Sequence, residues 1–167
     1  MGARRRRVGS DAGGGGSDAP ARELLRGLAA QGFDELPRNV SWSAVLAMLT
    51  EITARLADSP AAAGLRRVLS TATHRHATVA LGFCHWGALV GHLGRVERGL
   101  GDLDAAIAHL EQGLERDRAL GALVCVARDQ LDLAAALRER GAPGDAERAG
   151  RLETEGRGLA EDLGVGP

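Results

Sequence analysis

The chain contains no lysine, so all 21 of its positively charged residues are arginine. Reactions that need a lysine side chain, such as Schiff-base chemistry or phosphate binding by a P-loop lysine, are therefore excluded. Tyrosine is also absent, and aromatic residues make up only 2% of the chain. Alanine and leucine must then fill the core, which favours closely packed helices over a β-sandwich or barrel.

The chain also lacks a strong charge of either sign and any long apolar run. Its formal net charge is −1, which predicts no nucleic-acid partner. No apolar run approaches the ~18 residues that a membrane span needs. The arginines Arg4–Arg7 are followed by glycine, serine and aspartate and not by an apolar segment, so they are not a secretory signal. We expect a cytoplasmic protein with no membrane contact, and we interpret the arginine cluster as a solvated tail, with contact to nucleic acid or to an acidic partner as the alternative.

The distribution of glycine and leucine divides the chain into three segments. Residues 1–19 have almost no large apolar side chain and are predicted to form a disordered leader. Residues 20–164 carry apolar side chains at helical spacing and are predicted to form one domain of about seven helices, followed by a tail at 165–167. The segment around Trp86 is interpreted as part of a helix, so no strand is predicted.

A pattern of about 40 to 44 residues repeats along the predicted domain. Trp42 and Trp86 are 44 residues apart, and Leu-Ala-Asp at 56–58 corresponds to Leu-Gly-Asp at 100–102. Gly141 follows Gly101 after 40 residues. The three predicted units cover residues 41–71, 81–119 and 122–163.

Each unit is predicted to be a helix, a tight turn and a second helix. Glycine at the turn adopts a left-handed conformation at little cost, and the aspartate after it can cap the second helix. Small residues at the corresponding positions, Ala62, Ala106 and Ala149, allow the two helices to approach closely. One such hairpin cannot bury its apolar stripe alone, so we expect the hairpins to stack.

These residues resemble the longer variety of tetratricopeptide-type (TPR-like) repeats. The resemblance rests on Leu93-Gly94, the Gly-Asp turn and the alanine that follows, although Arg118 replaces the terminal proline of the family pattern. It implies an all-α fold, a right-handed superhelical stack of antiparallel helical hairpins known as an α-solenoid.

A narrower resemblance concerns the C-terminal helical region of large actinobacterial signalling regulators. The runs GFCHWGALVGHLG and ARDQLDLAAALRERGAPGDAERA are similar to regions of proteins that join an AAA-type ATPase to a nucleotide cyclase or a LuxR-type DNA-binding domain. The chain would then be the sensor or scaffold end alone. It contains no GxxxxGK[ST] motif, so neither ATPase nor cyclase activity is expected from it.

One group of side chains has metal-ligand chemistry. Zinc sites usually pair their ligands closely in sequence, and these are spread over a loop and a predicted helix. We therefore interpret the histidines as surface and groove residues, expect no metal or cofactor, and expect both cysteines to be buried free thiols. The group with metal-ligand chemistry is His74, His76, Cys84, His85 and His92, and the second cysteine, outside that group, is Cys125.

The sequence favours a non-catalytic module that binds a protein or peptide. Solenoid stacks present a concave face, and His85, His92, Arg95 and Arg128 are predicted to line it. A detached remnant of an ATPase-containing regulator, with no activity of its own, is the alternative. A small metal-dependent enzyme that uses the histidines and cysteines is a more remote one. An apolar surface exposed at the N-terminal end of the stack would favour a homodimer.

Overall fold

A computed structural model describes residues 15–33, 35–79 and 84–165 of the chain. Within these residues there are seven helices and one two-stranded antiparallel sheet. The prediction of a mainly helical protein is therefore confirmed at this coarse level. The elements are α1 (Gly15–Ala30), α2 (Trp42–Leu56), α3 (Ser59–Ser70), β1 (His76–Val79), β2 (Cys84–Ala88), α4 (Leu89–Gly99), α5 (Leu103–Ala119), α6 (Leu123–Arg140) and α7 (Asp145–Asp162).

The first helix begins earlier than the sequence predicts. Helix α1 starts at Gly15, within the segment 1–19 that we predicted to be a disordered leader. Residues 1–14, which include the arginine cluster, lie outside the described residues, as do 166–167 of the predicted tail. Leu25 is buried and anchors α1 against the other helices.

The two strands correct the prediction of an uninterrupted helix before residue 89. Strand β1 pairs with β2 in antiparallel register, with His76 opposite Ala88 and Thr78 opposite His85. Gly87 has φ +105°, a value incompatible with a right-handed helix, so α4 cannot extend back through it. Trp86 therefore lies in a strand, whereas Trp42 begins α2. The 44-residue spacing of the two tryptophans does not reflect equivalent structural positions.

The tight turns between the helices of each unit form as the repeat pattern predicts. A left-handed residue follows the first helix within two positions in all three units, with φ +49° at Ala57, +81° at Gly101 and +66° at Gly141. Alanine adopts this conformation in the first unit despite its Cβ. The conformation of the turn is thus shared even where its glycine is missing.

The capping role predicted for the turn aspartates is correct for only one of the first two units. The Asp58 carboxylate accepts a hydrogen bond from the backbone N–H of Ala61 at 3.2 Å and caps α3. The Asp102 side chain makes no capping hydrogen bond, because it instead accepts one from the guanidinium of Arg66 at 3.0 Å. Ser41 occupies the N-cap position of α2, but its hydroxyl does not cap the helix.

The helices pack in chain order. Each helix from α2 to α7 contacts the next, and α4 also contacts α2 and α6. The small residues predicted at the helix crossings are buried, and a Cβ at Gly94 would lie 2.8 Å from the carbonyl oxygen of Ala106. Two apolar clusters result, one formed mainly by α1 to α4 and the other by α5 to α7.

Candidate functional site

The central helix α4 carries buried polar side chains. All nine residues of Leu89–Glu97 are buried, and they include His92, Arg95 and Glu97. The helix is enclosed by α2, α3, α5, α6 and β2. Because buried charges are costly unless they are paired, the partners of these side chains define the polar centre of the molecule.

Arg95 is held by two carboxylates of α6. Its Nη2 lies 2.5 Å from Asp129 Oδ1, and its Nε lies 2.5 Å from Asp132 Oδ2. Burial acts to lower the pKa of Arg95, but Asp132 and Asp129 outweigh it and raise this pKa above its ordinary value. Burial also raises the pKa of Asp129 to about 7, although Arg95 opposes this change. Arg95 thus stays charged, whereas burial disfavours the charged form of Asp129.

Two side chains meet at one carbonyl group of β2. His92 Nε2 lies 3.0 Å from the carbonyl oxygen of Trp86, and Arg128 Nη2 donates to the same oxygen at 2.7 Å. Arg128 Nη1 also lies 3.3 Å from a carboxylate oxygen of Glu51 on α2. Burial, followed by the charges of Arg95 and Arg128, lowers the pKa of His92 well below its ordinary value. His92 is therefore neutral, and its second ring nitrogen, Nδ1, is buried and has no hydrogen-bond partner among the residues that the structure describes.

A second polar group joins the β-hairpin to α5. The Asp117 carboxylate is fully buried, and its Oδ1 lies 3.0 Å from His85 Nε2 and 3.8 Å from His76 Nδ1. The backbone N–H of Ala88 donates to both carboxylate oxygens, at 3.1 and 3.2 Å. His76 Nδ1 is buried and has no hydrogen-bond partner in the described part of the chain. Burial, then His85, lowers the pKa of His76. Two strands and one helix therefore place two imidazoles beside one buried carboxylate.

Gly87 permits this arrangement by bringing the backbone of β2 close to the polar groups. A Cβ at this position would lie 3.0 Å from Arg128 Nη2 and 3.2 Å from Asp117 Oδ2. Its φ of +105° is also one that other residues rarely adopt. A side chain at Gly87 would therefore displace two groups at once and strain the backbone.

The two cysteines differ in their surroundings. Cys125 is buried as predicted, and burial raises the pKa of its thiol to about 11, so it is a poor nucleophile. Its sulfur lies 3.9 Å from the carbonyl oxygen of His85. Cys84 is exposed, so the prediction of a second buried thiol was wrong. It begins strand β2 and is not part of an apolar helical face.

The four predicted partner-binding residues come together, but around a buried centre. His85 and Arg128 are partly exposed, whereas His92 and Arg95 are 0% and 8% exposed. His92 and Arg95 therefore hold elements of the fold together and offer almost no contact surface to a partner. His85 and His92 do not share a helix face, because the former lies in β2.

Of the possible metal ligands singled out from the sequence, the structure brings only His76 and His85 together in one candidate metal-binding group of the described residues. His76 and His85 are close, with ring centroids 5.2 Å apart, whereas His74 and Cys84 are exposed. From the sequence, Asp117 was interpreted as part of a solvated helix face, and Asp129 was not singled out. A signal was present, since Asp117 continues the apolar spacing of Leu110 and Leu114 on α5. An acidic residue on a buried stripe indicates a paired or functional carboxylate.

No protein-family model, curated protein or solved structure matches the chain. None of the helices in the described part of the chain combines the length and apolar character needed to cross a membrane.

Proposed function

We propose that the chain is a non-catalytic module of TPR-like helical hairpins that binds another protein or a peptide. The observation that carries this proposal is the repetition of one hairpin. Three units share a left-handed turn, and successive helices from α2 to α7 pack on one another. Stacks of such hairpins leave one face of their first helices open to partners. In this chain the first helices are α2, α4 and α6.

We assign this role to a surface on α2 and α6. Arg128 of α6 and Glu51 of α2 form an ion pair that connects these two helices beside the buried α4. Met48 and Ile52 lie within one turn of Glu51 and are 46% and 39% exposed. Val124 lies one turn before Arg128 and is 53% exposed. We call these five residues the first-helix surface.

The composition of the first-helix surface suits a peptide with apolar anchoring side chains. Exposed apolar residues around a charged pair provide both buried contact area and orientation, as interfaces between proteins generally do. His92 and Arg95 then support the surface from below and do not contact the partner. A role within an ATP-dependent transcriptional or signalling regulator is supported by the sequence resemblance alone, and the partner would then belong to such a system.

A binding experiment on the full chain tests the proposal. The purified chain would be cross-linked to its partner in native lysate, the partner identified by mass spectrometry and then isolated, and its affinity measured by calorimetry. We expect Ile52→Glu and Val124→Glu to weaken binding at least about tenfold, because each places an uncompensated charge in a desolvated contact. Circular dichroism should show unchanged helicity, since both side chains are exposed in the free chain.

Leu163→Glu is the matched control. Leu163 is 37% exposed, close to the 39% of Ile52, but it follows α7, a second helix, and is not one of the five residues of the first-helix surface. It should leave the affinity unchanged. Equal losses in all three variants, or no loss in any, would remove the first-helix surface as the binding site. A chain that retains no partner at all would contradict the proposed function.

A further inference from the structure

We propose that His76, His85 and Asp117 form a binding site for a divalent transition-metal ion, with Zn²⁺ as the first candidate. The site belongs to the junction between the β-hairpin and α5, and none of its three residues is part of the first-helix surface. Its ligand set is two imidazole nitrogens and one carboxylate oxygen. Such a set suits zinc and other first-row metals, and it leaves at least one coordination position for water or an exogenous ligand.

The distances between the potential ligand atoms are close to those of a zinc site and need only a small adjustment. One potential ligand atom from each residue lies within 4.8 Å of the other two. In a tetrahedral zinc site with bonds of about 2.0–2.1 Å, neighbouring ligand atoms are about 3.3 Å apart. The separations of Asp117 Oδ1 from His85 Nε2 and His76 Nδ1, 3.0 and 3.8 Å, lie on either side of that value. A small inward movement of the His76 ring would complete the geometry.

Two groups at the junction, His76 and Asp117, would each gain a partner from a bound cation. His76 Nδ1 is buried and makes no hydrogen bond, so its ring nitrogen has no partner within the described residues. Asp117 is fully buried, and its ion-pair partners in the described part of the chain are the two histidines alone. The neighbouring Arg116 instead donates to the carbonyl oxygen of Thr73. A buried carboxylate that lacks a positive partner is costly, and a metal ion would supply the missing charge.

The position of the site also gives the ion a structural role. A two-stranded hairpin is only marginally stable by itself, and here it interrupts a run of helices. One ligand comes from β1, one from β2 and one from α5, so the ion would fasten both strands to the helical stack. The backbone N–H of Ala88 donates to both oxygens of the Asp117 carboxylate and holds this carboxylate in place. His76 and His85 are 29% and 23% exposed in their side chains, which gives the open coordination position access to solvent.

Titration of the metal-free full chain tests the proposal. Calorimetry with Zn²⁺ should give one equivalent per chain, and bound Co²⁺ should give the visible absorption of a low-symmetry site with nitrogen and oxygen ligands. Thermal unfolding should move to higher temperature with added Zn²⁺, because the ion binds the folded chain. His76→Ala should weaken binding at least about tenfold, since removing even an outer-shell partner of a metal site has an effect of that size. The substitution removes no hydrogen bond between Nδ1 and any described residue, so the fold should persist.

His74→Ala is the matched control, because His74 is two residues away in the same segment but exposed and outside the group. It should bind Zn²⁺ as the unaltered chain does. The proposal is overturned by the absence of stoichiometric binding, or by equal affinities of the unaltered chain and His76→Ala. An intense near-ultraviolet thiolate band with Co²⁺ would also overturn it, because Cys84 or Cys125 would then be the ligand. The Co²⁺ spectrum of the unaltered chain decides the ligand type even if a variant fails to fold.

Discussion

The central helix α4 is buried on two faces by opposite kinds of chemistry. On one face, Leu89, Leu93 and Val96 pack into the apolar cluster formed with α1 to α3. On the other, His92 and Arg95 meet β2 and α6 through hydrogen bonds and ion pairs. The apolar face stabilises the fold by removing surface from water, at about 25 cal/mol per Å². The polar face stabilises the fold only if its ion pairs and hydrogen bonds outweigh the loss of hydration of its charges.

The two faces should respond differently to the loss of one side chain. Loss of one apolar side chain leaves a cavity that its neighbours partly fill. Loss of one member of the polar group leaves another charge buried without a partner, and the surroundings cannot relax to hydrate it. The polar face therefore contributes less as a whole but depends more on each of its members. It also fixes the position of α6 relative to α4, because the hydrogen bonds from Arg95 to Asp129 and Asp132 are directional and apolar contacts are not.

The largest expected effect is that of Arg95→Met. The variant keeps an unbranched side chain of similar length but leaves Asp129 and Asp132 without their shared cation. We expect the free energy of unfolding to fall by about 3–5 kcal/mol. Urea denaturation followed by circular dichroism measures it.

The double variant Arg95→Met/Asp129→Leu is the control for this prediction. Removal of both buried charges should restore most of the lost stability, since an apolar pair can replace a buried ion pair. Asp132, which is partly exposed, then remains hydrated. If the double variant is no more stable than Arg95→Met, side-chain shape and not unpaired charge determines the loss.

A smaller effect is expected on the apolar face. Leu93→Ala removes a side chain that is 1% exposed and should lower the free energy of unfolding by about 2–5 kcal/mol, near the lower end where neighbours relax. Ile52→Ala, at 39% exposure on α2, should change it by less than about 0.5 kcal/mol. The same denaturation experiment compares them. Similar losses in both variants would contradict the assignment of Leu93 to the core.

Most of the helices could be predicted from the sequence because their signals are local. Apolar spacing identified α2 to α7 in outline, and the left-handed turn at Gly101 follows from glycine and the repeat. The β-hairpin was missed because Trp86 and Leu89 continue a helical spacing by chance. The strands form through pairing across residues distant in sequence, which spacing within one segment does not reveal. Ile52 has the spacing of the buried residues Leu49 and Leu56 of α2, yet its side chain is 39% exposed.

The candidate site was harder to predict because it is assembled from separate elements. His76 and His85 were recognised as possible ligands, but their shared partner Asp117 lies on α5, 32 residues after His85. Arg95 and His92 were predicted to line a partner-binding face, and their burial was not predicted. The sequence shows which residues carry charge. Whether a charge faces solvent or a buried partner depends on how α4 is enclosed by its neighbours.

The polar face should also make stability depend on pH. The pKa of His92 is lowered by burial and by the charges of Arg95 and Arg128, so the folded chain keeps the ring neutral. In the unfolded chain the ring takes up a proton near its ordinary pKa of about 6.5. Below that pH the unfolded state binds more protons than the folded state, and the free energy of unfolding falls as the pH falls. One proton contributes at most about 1.4 kcal/mol per pH unit.

The variant His92→Gln isolates this contribution. Glutamine can still donate an N–H to the carbonyl oxygen of Trp86 but does not titrate, so only the proton uptake is removed. Urea denaturation at pH 7.0, 6.0 and 5.0 should show a smaller loss of stability in the variant than in the unaltered chain. The other histidines affect both proteins alike, and the difference between the two pH profiles reports His92 alone. Parallel profiles would mean that His92 becomes protonated in the folded chain, in which case the polar face admits water or a proton that its burial excludes.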